Sequence, residues 1–227
     1  MELYHIDEDF SEAADLAKTN PKKLHALQSM FWIEAAKYQV LPIDDRTFGR
    51  LLFNSQPELA PGRTTARFYP GIILPEACAP NTKNRSSSIT AIVNLHKPEA
   101  EGVLVAEGGR FGGYSFYIKN GKLTLHYNFL NMARYTIRSN AGVPLGKSKL
   151  RYEFTADNSS RGSGGLGKLF INDQQVGEGR IGRTAPNVLS IDDTFNVGMD
   201  IGTPVSEEYE SPFRFTDTLE HVTIDLK

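Results

Sequence analysis

Tyr114-Ser115-Phe116-Tyr117-Ile118-Lys119, then Asn120-Gly121, then Lys122-Leu123-Thr124-Leu125-His126-Tyr127 is the stretch on which the fold turns. Two alternating runs flank an Asn-Gly pair. A two-residue type I′ turn needs positive φ at both central positions, and Asn and Gly tolerate it best. Such a loop fixes the register. It sets Ile118 against Leu123, Phe116 against Leu125 and Tyr114 against Tyr127, all six on one face. Ser115, Tyr117, Thr124 and His126 take the other. A hairpin with one apolar face belongs to an antiparallel sheet that covers a core on that side.

Working outward, the same period of two recurs. Leu150, Tyr152 and Phe154 alternate with Arg151, Glu153 and Thr155; Leu169-Phe170-Ile171 leads through Asn172-Asp173 to Val176. Phe195 and Val197 alternate, and Val222, Ile224 and Leu226 alternate with His221, Thr223 and Asp225. Many short strands separated by turn signals predict a mostly β protein, an antiparallel jelly-roll-type β-sandwich. A short α-helical segment precedes it. Asn20-Pro21 reads as a helix start, with Asn20 as the cap and Pro21 where no N–H is needed. Leu24, Leu27, Phe31, Ala35 and Tyr38 then recur at spacings of three and four, widened by Trp32 and Ile33, and the helix ends near Tyr38 before Pro42. The Pro/Gly-containing stretch 56–62 marks the boundary, dividing a helical tail segment, 1–60, from the sandwich, 61–227.

The 227 residues carry 40% hydrophobic residues, enough for a core, and a formal net charge of −2. That balance offers no general attraction to nucleic acid or anionic membranes. No run approaches the roughly 20 apolar residues of a membrane span. Cys78 is the one cysteine, so no intrachain disulfide forms. The acidic N-terminus has no apolar run and reads as no signal peptide.

Motifs that carry chemistry fail on inspection. Gly162-Ser163-Gly164-Gly165-Leu166-Gly167-Lys168 approximates a phosphate-binding P-loop, but Leu169 stands where Ser or Thr would hold Mg²⁺ and a strand follows in place of a helix. It reads as a flexible hairpin loop. The five histidines, His5, His25, His96, His126 and His221, show no metal-ligand spacing. No Gly-x-Ser-x-Gly elbow is present, nor the paired glutamates that sandwich glycosidases place on one strand. Asp7-Glu8-Asp9, Asp192-Asp193 and Glu207-Glu208 read as solvated loops. Asp192, Asp193 and Asp200 lack a calcium-loop spacing. The sequence therefore predicts no catalytic residues, no metal and no cofactor in this chain.

Glu2-Leu3-Tyr4-His5-Ile6-Asp7-Glu8-Asp9-Phe10-Ser11-Glu12-Ala13-Ala14-Asp15-Leu16-Ala17 resembles the tail signature of the sulfatase family, Glu-Leu-Tyr-Asp-x-x-x-Asp-Pro-x-Glu-x-x-Asn-Leu-Ala. His5, Phe10 and Asp15 depart from the general form and look like the variant of the larger arylsulfatases. The resemblance continues through the segment from Leu24 to Leu41-Pro42-Ile43-Asp44-Asp45-Arg46, and through Pro80-Asn81-Thr82-Lys83-Asn84-Arg85-Ser86, Gly112-Gly113-Tyr114-Ser115, Tyr135-Thr136-Ile137-Arg138-Ser139, Asn196-Val197-Gly198-Met199-Asp200-Ile201-Gly202-Thr203-Pro204-Val205 and Pro212-Phe213-Arg214-Phe215-Thr216. It implies the C-terminal region of an arylsulfatase, a sulfuric ester hydrolase, with a sandwich like the concanavalin and laminin-G lectin folds. That family's Ca²⁺ ligands and formylglycine lie upstream of such a region. Cys78-Ala79-Pro80-Asn81-Thr82 departs from the family's Cys-x-Pro-x-Arg at Thr82, so no catalytic residue maps here. Met1 opens within the tail-like stretch, as an excised fragment or a truncated reading frame would.

Two functions follow. The first is a non-catalytic accessory domain, structural or substrate-positioning, partnered by a catalytic sulfatase domain. The alternative is a free-standing glycan-binding module. For the latter, Tyr117, His126 and Arg134 are the candidate ligand-binding residues, with Lys119, Lys122 and Arg138 nearby. Aromatic and basic groups on one sheet face stack on a sugar and pair with sulfate.

Overall fold

The computed structural model describes residues 2–38 and 62–227. The stretch 41–46 and the boundary residues 56–61 lie outside the described residues. The chain divides into two compact units, one ending at Ser55 and one beginning at Gln56.

In the first unit, Leu16 N–H donates to Leu3 C=O at 2.8 Å, and the Asp15 carboxylate accepts from the Leu3 and Ala17 amides at 3.0 and 2.9 Å. A 17-residue helix follows, α1 (Pro21–Lys37). Pro21 opens it as expected. Asn20 does not cap it: its side-chain amide donates to Thr19 Oγ1 at 3.2 Å, so the first-turn amides gain no side-chain acceptor.

The second unit is a sandwich of two antiparallel six-stranded sheets. The first sheet runs β1 (Thr65–Phe68), β12 (Thr218–Leu226), β3 (Ser87–Leu95), β8 (Gly146–Ala156), β9 (Gly165–Ile171) and β10 (Gln174–Ile181) in spatial order. The second runs β2 (Ile73–Pro75), β11 (Thr194–Val197), β4 (Gly102–Gly109), β5 (Gly112–Lys119), β6 (Lys122–Phe129) and β7 (Ala133–Gly142). β5 and β6 pair with Ile118 opposite Leu123, Phe116 opposite Leu125 and Tyr114 opposite Tyr127, the register read from the turn. Asn120 and Gly121 take φ of 50° and 68°, and Asn172 and Asp173 make a second turn of the same hand at 50° and 67°.

The inward faces meet as Ile89, Val93, Leu150, Phe154, Leu169 and Ile224 from the first sheet and Phe116, Ile118, Leu125 and Phe195 from the second. This buried apolar area is the main source of stability. Of the glycine-rich stretch 162–168, residues 162–164 lie in the loop that joins β8 to β9, as the hairpin reading expected, and only 165–168 belong to a strand. Gly165 and Gly167 lie inside β9, where a Cβ would stand 2.4 Å from the Phe154 ring and 2.4 Å from Ile137 Cδ1. These glycines serve close packing rather than mobility.

Candidate functional site

On the outward face of the second sheet the hairpin places Ser115 and Tyr117 on β5 beside Thr124 and His126 on β6, and β7 adds Arg134, Thr136 and Arg138. Over β5 and β6 this face is closed to solvent, while Thr136 and Arg138 on β7 stay exposed. Residues 199–216 cross it as a roof. Val205, Tyr209 and Phe213 from the roof pack on Val103, Ala106 and Tyr117 as a second apolar cluster. The Tyr209 ring meets Tyr117 edge-on at 5.2 Å and stacks on Phe213 at 4.8 Å. Backbone bonds seat the roof. The Phe213 carbonyl accepts from the Val103 and Asp200 amides, and Phe213 N–H donates back to Asp200 at 3.0 Å.

Of the three residues named from the sequence, Tyr117 is fully buried and His126 is 5% exposed, both beneath the roof. Arg134 sits at its rim, with a quarter of its side chain exposed. The structure thus brings all three to one sheet face and covers two of them. The Tyr117 hydroxyl donates to Glu208 at 2.9 Å, and Arg134 reaches Glu207 at 3.2 Å and Asn131 Oδ1 at 2.8 Å. Glu207 and Glu208, read from sequence as a solvated acidic pair, are indeed exposed, and they also tie the roof to β5 and β7. Asp200 is buried beneath it. Its Oδ2 accepts from the Tyr209 hydroxyl at 2.5 Å and the Val205 amide at 3.2 Å, and the Tyr209 oxygen lies 2.8 Å from Ser115 Oγ.

Burial dominates the titration of this layer. It pushes His126 down to about 4, with Arg134 adding to the effect, so the imidazole is neutral at pH 7. It pushes Asp200 up to about 6, against the hydrogen bonds from Tyr209 and Val205. Asp193, grouped with Asp192 and Asp200 in the sequence, spends its carboxylate on Ser190 and on the Thr203 amide and hydroxyl. Among the described residues no three His, Cys, Asp or Glu side chains converge as a metal site would require.

The outward face of the first sheet carries no such roof segment from 199–216. Register aligns Arg67, Thr223, Thr90, Arg151 and Phe170 in one row across β1, β12, β3, β8 and β9. The Arg151 guanidinium lies over the Phe170 ring at 4.2 Å. Glu153 and Asp173 hold the guanidinium, and Lys149 also binds Asp173, at 2.6 Å. The sequence signal for this platform was Phe170, an aromatic on the polar side of a strand whose neighbours Leu169 and Ile171 both face the core.

No protein-family model matches the chain, and no curated protein matches it. Among solved structures it is similar to the leech intramolecular trans-sialidase complexed with 2,7-anhydro-Neu5Ac, at 11% identity and a TM-score of 0.45. That alignment covers 72% of this chain and 25% of the leech protein, so this chain spans about a quarter of that protein's length. It is similar to the Ruminococcus gnavus IT-sialidase CBM40, at 14% identity and a TM-score of 0.46, over 72% of this chain and 90% of that one. It is also similar to domains LG4-5 of the mouse laminin α1 chain, at 11% identity and a TM-score of 0.41, over 72% of this chain and 40% of that one.

Proposed function

We propose that the sandwich is a glycan-binding module and that the outward face of its first sheet is the binding surface. The observation that carries this reading is the stacked pair Arg151–Phe170 in mid-face, 4.2 Å apart. A pyranose presents a C–H face suited to stacking on a flat aromatic or guanidinium surface, and its hydroxyls or acidic substituents accept from guanidinium and ammonium donors. Glu153 and Asp173 fix the guanidinium beforehand, which lowers the ordering cost of binding. Thr90, Thr223 and Lys149 supply further polar contacts along the row and beside it. In this reading Tyr117 and His126 serve the roof, and Arg134 lies at its edge.

Titrating the isotope-labelled protein with sialyllactose and with a sulfated chondroitin disaccharide tests the reading by amide chemical shifts. Shifts that cluster on β8 and β9 and vanish in Arg151→Ala and Phe170→Ala support it. No shifts with any glycan, or shifts that survive both substitutions, overturn it.

A second reading, the accessory domain of an arylsulfatase, is favoured by the exposure of Met30, Trp32 and Ile33 on α1, an apolar face of the kind that seats another domain. Reading the genomic frame ahead of the Met1 codon tests it. A frame encoding Cys-x-Pro-x-Arg supports this reading, and a nearby stop codon argues against it.

A further inference from the structure

The outward face of the first sheet holds a second aromatic station, across the sheet from Phe170. Tyr69 follows the last residue of β1 and is 58% exposed. Its ring lies 6.4 Å from that of His221 on β12, the two planes tilted by 58°. Phe68 before Tyr69 and Val222 after His221 both pack on the core, so alternation turns Tyr69 and His221 outward together.

Register carries this station toward the middle of the face. His221 stands opposite Ile92 on β3, and Ile92 stands opposite Lys149 on β8. Ile92 lies half-buried between Ala91 and Val93, which point into the core, and it gives the row an apolar floor. The row runs beside Thr223, Thr90 and Arg151, about 7 Å away along the strands. From Phe170 on β9 to His221 on β12 there are three strand spacings, about 14 Å.

Aromatic rings in contact have centroids about 4.5–7 Å apart. A pyranose is no larger than such a ring, so one sugar cannot stack on both stations, and neither can two sugars linked directly. We propose that this face takes an internal run of a linear glycan, three sugars or longer, laid obliquely across the strands from Phe170 to Tyr69 and His221. The outer rings stack on the two aromatic stations. The middle of the chain passes over Ile92 and Thr90, within reach of the Lys149 ammonium and the Arg151 guanidinium, which donate to its hydroxyls or acidic groups.

The inference rests on the glycan reading given above and adds to it the class of ligand, an extended chain rather than a terminal sugar. It also gives a role to the Tyr69–His221 pair, which the Arg151–Phe170 stack alone does not use. Both stations stand on strands of one hydrogen-bonded sheet, or on the residue next to a strand, so their separation is set before the ligand arrives. That lowers the ordering cost of binding. One added stacking station strengthens binding roughly 2- to 10-fold.

The test is calorimetric titration of the whole chain with chondroitin sulfate oligosaccharides and with chito-oligosaccharides, each as the di-, tetra- and hexasaccharide. Amide chemical shifts are recorded alongside on the unaltered protein. The proposal expects affinity to rise roughly 2- to 10-fold from disaccharide to tetrasaccharide in a series that binds. It expects the tetrasaccharide to shift Tyr69 and His221 as well as Arg151 and Phe170, and the gain with length to be lost in Tyr69→Ala. Affinity that does not change with length overturns the extended chain and leaves the glycan reading standing. So do tetrasaccharide shifts confined to β8 and β9, or a gain with length that survives both Tyr69→Ala and His221→Ala. Failure of every oligosaccharide to bind overturns both readings.

Discussion

Arg138 Nη2 lies 2.6 Å from each carboxylate oxygen of Glu208, a residue 70 positions later in the chain. The same carboxylate accepts from the Tyr117 hydroxyl, and Lys119 Nζ bonds the Glu208 carbonyl. One roof residue thus joins β5 to β7. The ion pair is half exposed and on its own contributes about 0.2–1 kcal/mol. Removing Glu208 does more, because it leaves a fully buried tyrosine hydroxyl without its acceptor, at a cost of about 1–3 kcal/mol. Glu208→Ala is therefore expected to destabilise the protein more than Arg138→Ala in urea denaturation. An equal or reversed order would show that Tyr117 does not depend on Glu208.

Beneath the same roof, two groups titrate in opposite senses. The folded state raises Asp200 from 3.8 to about 6. Its contribution is fully present below pH 3.8 and is lost as pH rises through 6, and the shift corresponds to roughly 3 kcal/mol. His126 is lowered from 6.5 to about 4, so its contribution is present above pH 6.5 and lost as pH falls through 4. Relative to Asp200→Asn, the parent protein is expected to lose stability between pH 4 and pH 6. Relative to His126→Asn it is expected to gain stability over nearly the same interval. Denaturation curves at half-unit pH steps separate the two, and two differences of the same sign would refute the assignment.

The sandwich was legible because its strongest signal was local. Asn120-Gly121 set a register that ran undisturbed through six residues on each side, and Leu150, Tyr152 and Phe154 repeated the inward pattern. The roof was not legible. Val205, Tyr209 and Phe213 recur every four residues, a spacing that strand and helix periods share, and they lie in bends and turns; their partners Val103, Ala106 and Tyr117 come from β4 and β5, far away in sequence. Alternation told which face Tyr117 and His126 take, but it cannot tell whether a distant loop returns to cover that face. Glu207 and Glu208 are exposed as the sequence suggested, but their partners, 70 or more positions away, could not be read from it. Phe170 stood in the run Leu169-Phe170-Ile171, but its stacking on Arg151 depended on the pairing of β8 with β9, which the local pattern does not give.

The turn that set the register offers a direct check on backbone conformation. Gly121 has φ of 68° and open space where a Cβ would stand, so a side chain there meets strain and no clash. Gly121→Ala is expected to cost about 1–2 kcal/mol, while Gly121→Asn, which tolerates the left-handed region, costs less. Thermal unfolding of the two variants tests this. Equal losses would mean that the turn is not held in the left-handed conformation.

Gly165 and Gly167 test whether β9 is a tightly packed strand. At Gly167 the obstacle to a Cβ is the tip of a side chain, Ile137 Cδ1, at 2.4 Å. At Gly165 it is the backbone carbonyl of Thr155 at 2.4 Å together with the Phe154 ring. A side-chain tip can be trimmed, whereas a paired strand backbone cannot retreat without breaking its ladder. Both glycine-to-alanine changes are expected to destabilise, by about 1–3 kcal/mol for overpacking. Only the first should be relieved in trans: Ile137→Val, which deletes Cδ1, is expected to couple with Gly167→Ala by about 1 kcal/mol in the stabilising direction. Phe154→Leu leaves the Thr155 carbonyl in place and is expected to give Gly165→Ala no such relief. Additive losses in the Gly167–Ile137 pair would mean that β9 has slack there, and the loop reading would extend from 162–164 into residues 165–168.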